Sequence, residues 1–112
     1  MKGIRGNTKA TFQISAIEHN AIGEAVKQWT DVQTLTGWLD LASGDSHYTA
    51  YSAKVQESTH LFLADYVPLD ERIKPETARM VIGGSVYDVT LIDDPMGLHI
   101  HFEIYLKYTG GR

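Results

Sequence analysis

Three side chains near the end of the chain have the types and spacing to hold a divalent metal: His99, His101 and Glu103, at alternate positions. Imidazole and carboxylate groups are transition-metal ligands, and on an extended strand all three would point to one side. A strand with one wet face carries polar residues there in any case, so a solvated face is the simpler reading of the same three residues. Asp93 and Asp94 have the form of paired carboxylates for acid–base work. Followed by Pro95, Met96 and Gly97, they read more simply as turn residues. His19, His47 and His60 are scattered. There is no cysteine, which excludes disulfides, thiolate nucleophiles and cysteine-ligated zinc. No Gly-x-Ser-x-Gly, Ser-x-x-Lys or phosphate-cradling glycine loop occurs. The expectation is a chain that is not an enzyme, with no catalytic residue, no metal and no cofactor. A small metal-dependent enzyme built on the last strand is the remote alternative.

The elements that must position these residues read as mainly β. From His99 to Tyr108, apolar Ile100, Phe102, Ile104, Leu106 and Tyr108 alternate with the histidines, Glu103, Tyr105 and Lys107, the period of a strand with one buried face. Ser85–Ile92 is rich in β-branched and aromatic residues, Arg79–Ile82 precedes it, and Gly83-Gly84 between them suits a two-residue hairpin. These three runs form a meander. Upstream, strands are expected over Thr11–Ile17, Ala25–Val32, Thr34–Leu41 and Thr59–Asp65, the last apolar on both faces and therefore central. One short helix is expected within Ser43–Gln56, where Tyr48, Tyr51 and Val55 fall at helical spacing behind an N-cap at Ser43-Gly44-Asp45-Ser46. Residues 1–8 are expected to be flexible. The sum is one domain, a small β-barrel or sandwich of six to seven short strands with one short helix and a projecting loop.

The bulk numbers agree. At 112 residues a chain buries roughly 65% of its unfolded surface, enough for one modest core. No apolar run behind the basic N-terminus suggests a signal peptide, and none is long enough to span a membrane. Ten basic residues against fourteen acidic ones, net charge −4, supply no patch for tight nucleic-acid binding. Two regions have the composition of contact surfaces instead. The Ser43–Gln56 excursion offers Asp45, His47, Tyr48, Tyr51 and Lys54 to a partner or a channel. The loop Asp70–Pro75 offers Asp70, Glu71, Arg72 and Lys74 to a neighbouring subunit, since opposed charges set register between proteins.

One ordered set of residues resembles a known family. Asp70-x-Arg72-Ile73-Lys74-Pro75, then Arg79-Met-Val-Ile-Gly-Gly-x-x-Tyr87-x-Val89, is similar to the core of the phage head–tail joining, or head-closure (head completion), proteins. Gly23-x5-Trp29, the strand around Trp38, the Ser43-Gly44 excursion and Thr59-His60-x-Phe62 follow the family's order. The likeness covers residues 9–108. Where the family often has Arg-Tyr after the excursion, this chain has Asp65-Tyr66. The resemblance implies a β-barrel subunit of a virion ring, commonly of twelve copies, that sits below the portal and its adaptor at the head–tail interface. It implies portal and adaptor proteins and a tail-completion protein as partners, passing contact with DNA only, and a monomer or weak oligomer when isolated from the host cytoplasm. The alternative is a tail-completion or other tail protein on a related barrel.

Overall fold

The computed structural model describes residues 3–42 and 58–111. Six antiparallel strands close into a barrel: β1 (Thr8–His19), β2 (Ala25–Leu41), β3 (His60–Asp65), β4 (Ala78–Ile82), β5 (Ser85–Asp93) and β6 (His101–Gly111), in the ring order β1-β2-β3-β6-β5-β4. Closure is how so short a chain disposes of its sheet edges. The mainly β reading of the sequence is correct, and the described strands number six. Phe12, Phe62, Met80, Val89, Ile104 and Leu106 fill the centre with essentially no exposure. Each is an inward position of an alternating run, as in β6, where Phe102, Ile104 and Leu106 are buried between half-buried His101, Glu103 and Tyr105. Ile100 and Tyr108, expected at the ends of that inward row, are both partly exposed. Ile100 precedes the first pair of the ladder to β3, Asp65 with His101. Tyr108 instead packs edge-on against Tyr87 with ring centroids 5.5 Å apart.

The meander forms as its turn residues dictate. Gly83 and Gly84 take φ of 57° and 85°, the left-handed pair of a two-residue hairpin, and Ile82 faces Ser85 across it. The turn after β5 is a single 3₁₀ turn at Pro95–Gly97. The helix expected within Ser43–Gln56 falls in residues 43–57, outside the described residues.

The two strands expected over Ala25–Val32 and Thr34–Leu41 are one strand of 17 residues. Gln33 between them has no turn chemistry, and the strand continues through it with a bulge. Phe12 faces Gln33 and Gln13 faces Asp31, so Val32 is the extra residue; a bulge bends a strand without ending it. β2 then changes partner. It pairs with β1 as far as Gly37 and with β3 from Gly37 onward, so Gly37 faces both Thr8 and Ala64. A Cβ at Gly37 would lie 2.0 Å from the Leu63 carbonyl oxygen, so no other residue fits the crossing.

β1 and β2 also run past the barrel. β4 covers β1 only from Thr11 to Ile14, and β3 covers β2 only from Gly37. Beyond Ile14 and up to the turn at Asn20–Glu24 the two strands form a two-stranded arm, roughly 17 Å long at strand rise. The loop from Tyr66 to Thr77 closes the same end of the barrel. Ile73 is buried there, and Leu69 and Tyr66 pack against the core.

Candidate interaction surface

The last-strand metal triad does not assemble. β6 starts at His101, so His99 belongs to the preceding turn, with φ of 56°. Its backbone N–H and its ring nitrogen Nδ1 both engage the Asp94 carboxylate. Its ring stacks on Tyr66, centroids 4.5 Å apart. His101 and Glu103 do share a face, with Nε2 and Oε2 3.2 Å apart. Among the described residues no group of three or more His, Asp or Glu is arranged to hold a metal ion. Asp93 faces Glu103 across β5 and β6. Burial first, then the charges of Glu103 and Asp94, push its carboxyl above the usual range. Burial also raises the Tyr105 phenol, with Glu103 adding to the effect. This is a carboxylate-rich strip of barrel wall.

The Asp70–Pro75 loop is folded inward as much as outward. Asp70 accepts from the Arg72 backbone N–H, from its Nε and from its Nη2, each at 2.9 Å. The guanidinium holds the Asp70 carboxyl down to about 2. Gln33 on β2 anchors the loop from both ends of its amide: Oε1 accepts from the Asp70 N–H, and Nε2 donates to the Pro68 carbonyl. Asp70 and Arg72 thus satisfy each other, while Glu71 and Lys74 stand exposed on the barrel end. Asp45, His47, Tyr48, Tyr51 and Lys54 lie outside the described residues.

Asp65, where the chain departs from the family pattern, has its own task. Its carboxylate accepts from the backbone N–H groups of Ile4 at 2.6 Å and Arg5 at 2.9 Å. Trp38 Nε1 donates to the Ile4 carbonyl. The two amides, Arg5 the stronger, hold Asp65 below the ordinary carboxylate range. An arginine there has no acceptor to offer two amide donors.

The arm is the feature that reading by segments missed. Its turn is a tight one. Asn20 N–H donates to the Glu24 carbonyl, Gly23 N–H donates to the Asn20 carbonyl, and Gly23 takes a φ of 86°. The Asn20 side chain accepts from Ile22 and Glu24 N–H. Ile17 and Ile22 are 73% and 79% exposed. At the arm's base, one face carries a linked row. Gln13 Nε2 donates to Asp31 at 2.7 Å, Arg79 Nε donates to Gln13 at 2.7 Å, and the Arg79 guanidinium lies 4.0 Å from the Trp29 ring centre. Lys27 sits over the same ring at 4.8 Å. A groove of about 400 Å³ opens beside this row, between Lys27 and Trp29 of the arm and Glu76, Asp88 and Lys107 of the barrel. The arm follows from strand length in the folded chain: a 12-residue and a 17-residue strand outrun partners of six and five. A second exposed apolar group lies on the β5–β6 turn, where Met96 is 91% exposed and Leu98 and Ile100 follow it.

No model of a known protein family matches the chain, and no curated protein matches it. The likeness to head–tail joining proteins is therefore carried by the ordered residues of the sequence alone.

Proposed function

We propose that this chain is a structural subunit of a phage or prophage head–tail connector. In that role it closes the DNA-filled head below the portal and adaptor and offers a docking surface to the tail. The observation that carries the reading is the arm. A small closed barrel extends a β-ribbon that carries two exposed apolar side chains, Ile17 and Ile22. Exposed apolar groups on a projection are a means of contact between proteins; the projecting segment that the family resemblance implies is another one, Ser43–Gln56, which lies outside the described residues. The charge balance supports it too. A net charge of −4 lets DNA pass without the phosphate binding that a basic surface would impose. Many weak contacts, repeated around a ring, then sum to a stable assembly.

Deleting the gene from its phage or prophage tests the proposal by electron microscopy. Heads that package DNA and then lose it are expected. Fully tailed, DNA-filled particles would end the connector reading. Complete heads carrying abnormal tails would move the chain to tail completion.

A further inference from the structure

We infer that the arms of successive copies pair edge to edge, β1 of one copy against β2 of the next, to make a continuous antiparallel sheet. The evidence is where the hydrogen-bonding groups point. In an antiparallel ladder, residue pairs alternate between those bonded to each other and those turned away. Asn20 N–H bonds the Glu24 carbonyl at the mouth of the turn, and His19 faces Ala25, Ile17 faces Lys27 and Ser15 faces Trp29. Counting back from Asn20, the N–H and C=O groups of Ser15, Ile17 and His19 point out along the β1 edge. Those of Ala25, Lys27 and Trp29 point out along the β2 edge. Among the described residues no strand pairs with either stretch, because β4 stops opposite Ile14 and β3 begins opposite Gly37. Among the described residues each copy thus shows two open edges on one element, running in opposite directions.

Natural edges are blunted by charged side chains, lysine above all, by proline, by inward charges or by a covering segment, and Lys27 on the β2 edge is such a lysine. The arm has no proline from Thr8 to Leu41, and its β1 edge carries an exposed Ile17. A second copy is the occupant that both edges fit. A β2 edge meets a β1 edge in the same antiparallel sense that β1 and β2 already adopt within one arm. With faces kept in register, Lys27 meets Ser15, Ile17 or His19 on one side of the sheet. Glu18 meets Val26, Gln28 or Thr30 on the other, so no like charges of these strands oppose each other. The symmetric alternatives serve less well. Two β2 edges centred on Lys27 set two ammonium groups opposite each other, and two β1 edges leave both β2 edges open. Head-to-tail pairing also repeats by rotation, which is what closes a ring. Pairing of this kind does not depend on the connector reading, and a virion role does not depend on it.

The absence of cysteine makes the test clean. Ile17→Cys and Ala25→Cys are prepared as separate proteins, mixed in equal amounts at high concentration and treated with a short bismaleimide. Crosslinks between Ile17→Cys and Ala25→Cys copies are expected well beyond the statistical excess over like-with-like products. A product dominated by Ile17→Cys pairs, a statistical mixture, or no crosslink overturns the inference. A second variant, Ile17→Pro, removes an outward N–H and leaves the arm's own ladder bonds in place. It is expected to abolish concentration-dependent sedimentation of the otherwise unaltered chain while its unfolding transition stays that of the parent. Association equal to the parent's also overturns the inference.

Discussion

Gln13 and Ile17 lie on the same face of the same strand, four residues apart, and their surroundings invert what their side chains prefer. Gln13 is polar and 3% exposed; Ile17 is apolar and 73% exposed. The difference is the third strand. β4 lies beside β1 at Gln13 and brings Arg79 over it, while the Asp31 side chain closes the other side. Past Ile14 there is no β4, and the isoleucine faces water. A glutamine is tolerated inside because both ends of its amide are matched. Exposed apolar side chains cost a folded monomer little by themselves, so the arm can keep Ile17 ready for a partner without loss to the barrel.

Four substitutions sharpen this contrast between barrel and arm. The largest effect belongs to the barrel. Phe12→Ala deletes a fully buried ring next to the bulge and is expected to lower unfolding free energy by about 3–5 kcal/mol in denaturant titrations. Gln13→Ala comes next, at about 1–3 kcal/mol. It removes two charge-assisted hydrogen bonds of a buried side chain, one from Arg79 Nε and one to the exposed Asp31 carboxylate. Asp65→Ala is smaller and local. It frees the Ile4 and Arg5 amides, so trypsin is expected to cut after Arg5 faster than in the parent, with the melting transition of the barrel nearly unmoved. Ile17→Ser should change stability by no more than about 0.5 kcal/mol, as for exposed sites generally. A loss of several times that amount would mean the arm is part of the folding unit.

The carboxylates of the barrel and its loops divide by their surroundings. The pKa of Asp93 is raised by burial and by Glu103. Its contribution is therefore present at pH below its unfolded value and is lost as pH rises through the higher folded value. Asp65 and Asp70 are depressed, Asp70 to about 2. Theirs is present above the unfolded value and is lost as pH falls toward the folded one. Thermal melts are expected to show stability rising as pH drops from neutral through the Asp93 range, then falling below about 4, the ordinary aspartate value. Asp93→Asn should remove the rise and leave the acid limb in place.

Much of the barrel was legible in the residues. The alternation of β6, the Gly83-Gly84 hairpin and the Asp93–Gly97 turn each rest on local chemistry, so local reading found them. The candidate surface was less legible, because position in a barrel is not a local property. His99 was assigned to the last strand by its place in an alternating row, yet Asp94 and Tyr66 hold it in the turn. Gln33 looked like a gap between two strands, yet its side chain ties the Pro68–Asp70 loop and its neighbour Val32 forms the bulge. Asp65 stood out only as a departure from a family pattern, since its two amide partners lie sixty residues away along the chain.

Hydrophobic period, turn residues and the missing cysteine were enough, from the sequence alone, to set most of the strands, the meander and the absence of any thiolate or cysteine-ligated site. These follow from backbone sterics and from which faces can be dry. Only the closed barrel decided where β3 and β4 stop against their longer neighbours. That end point fixes which half of β1 is wall and which half is a free edge, and it depends on registers set between residues far apart in the chain.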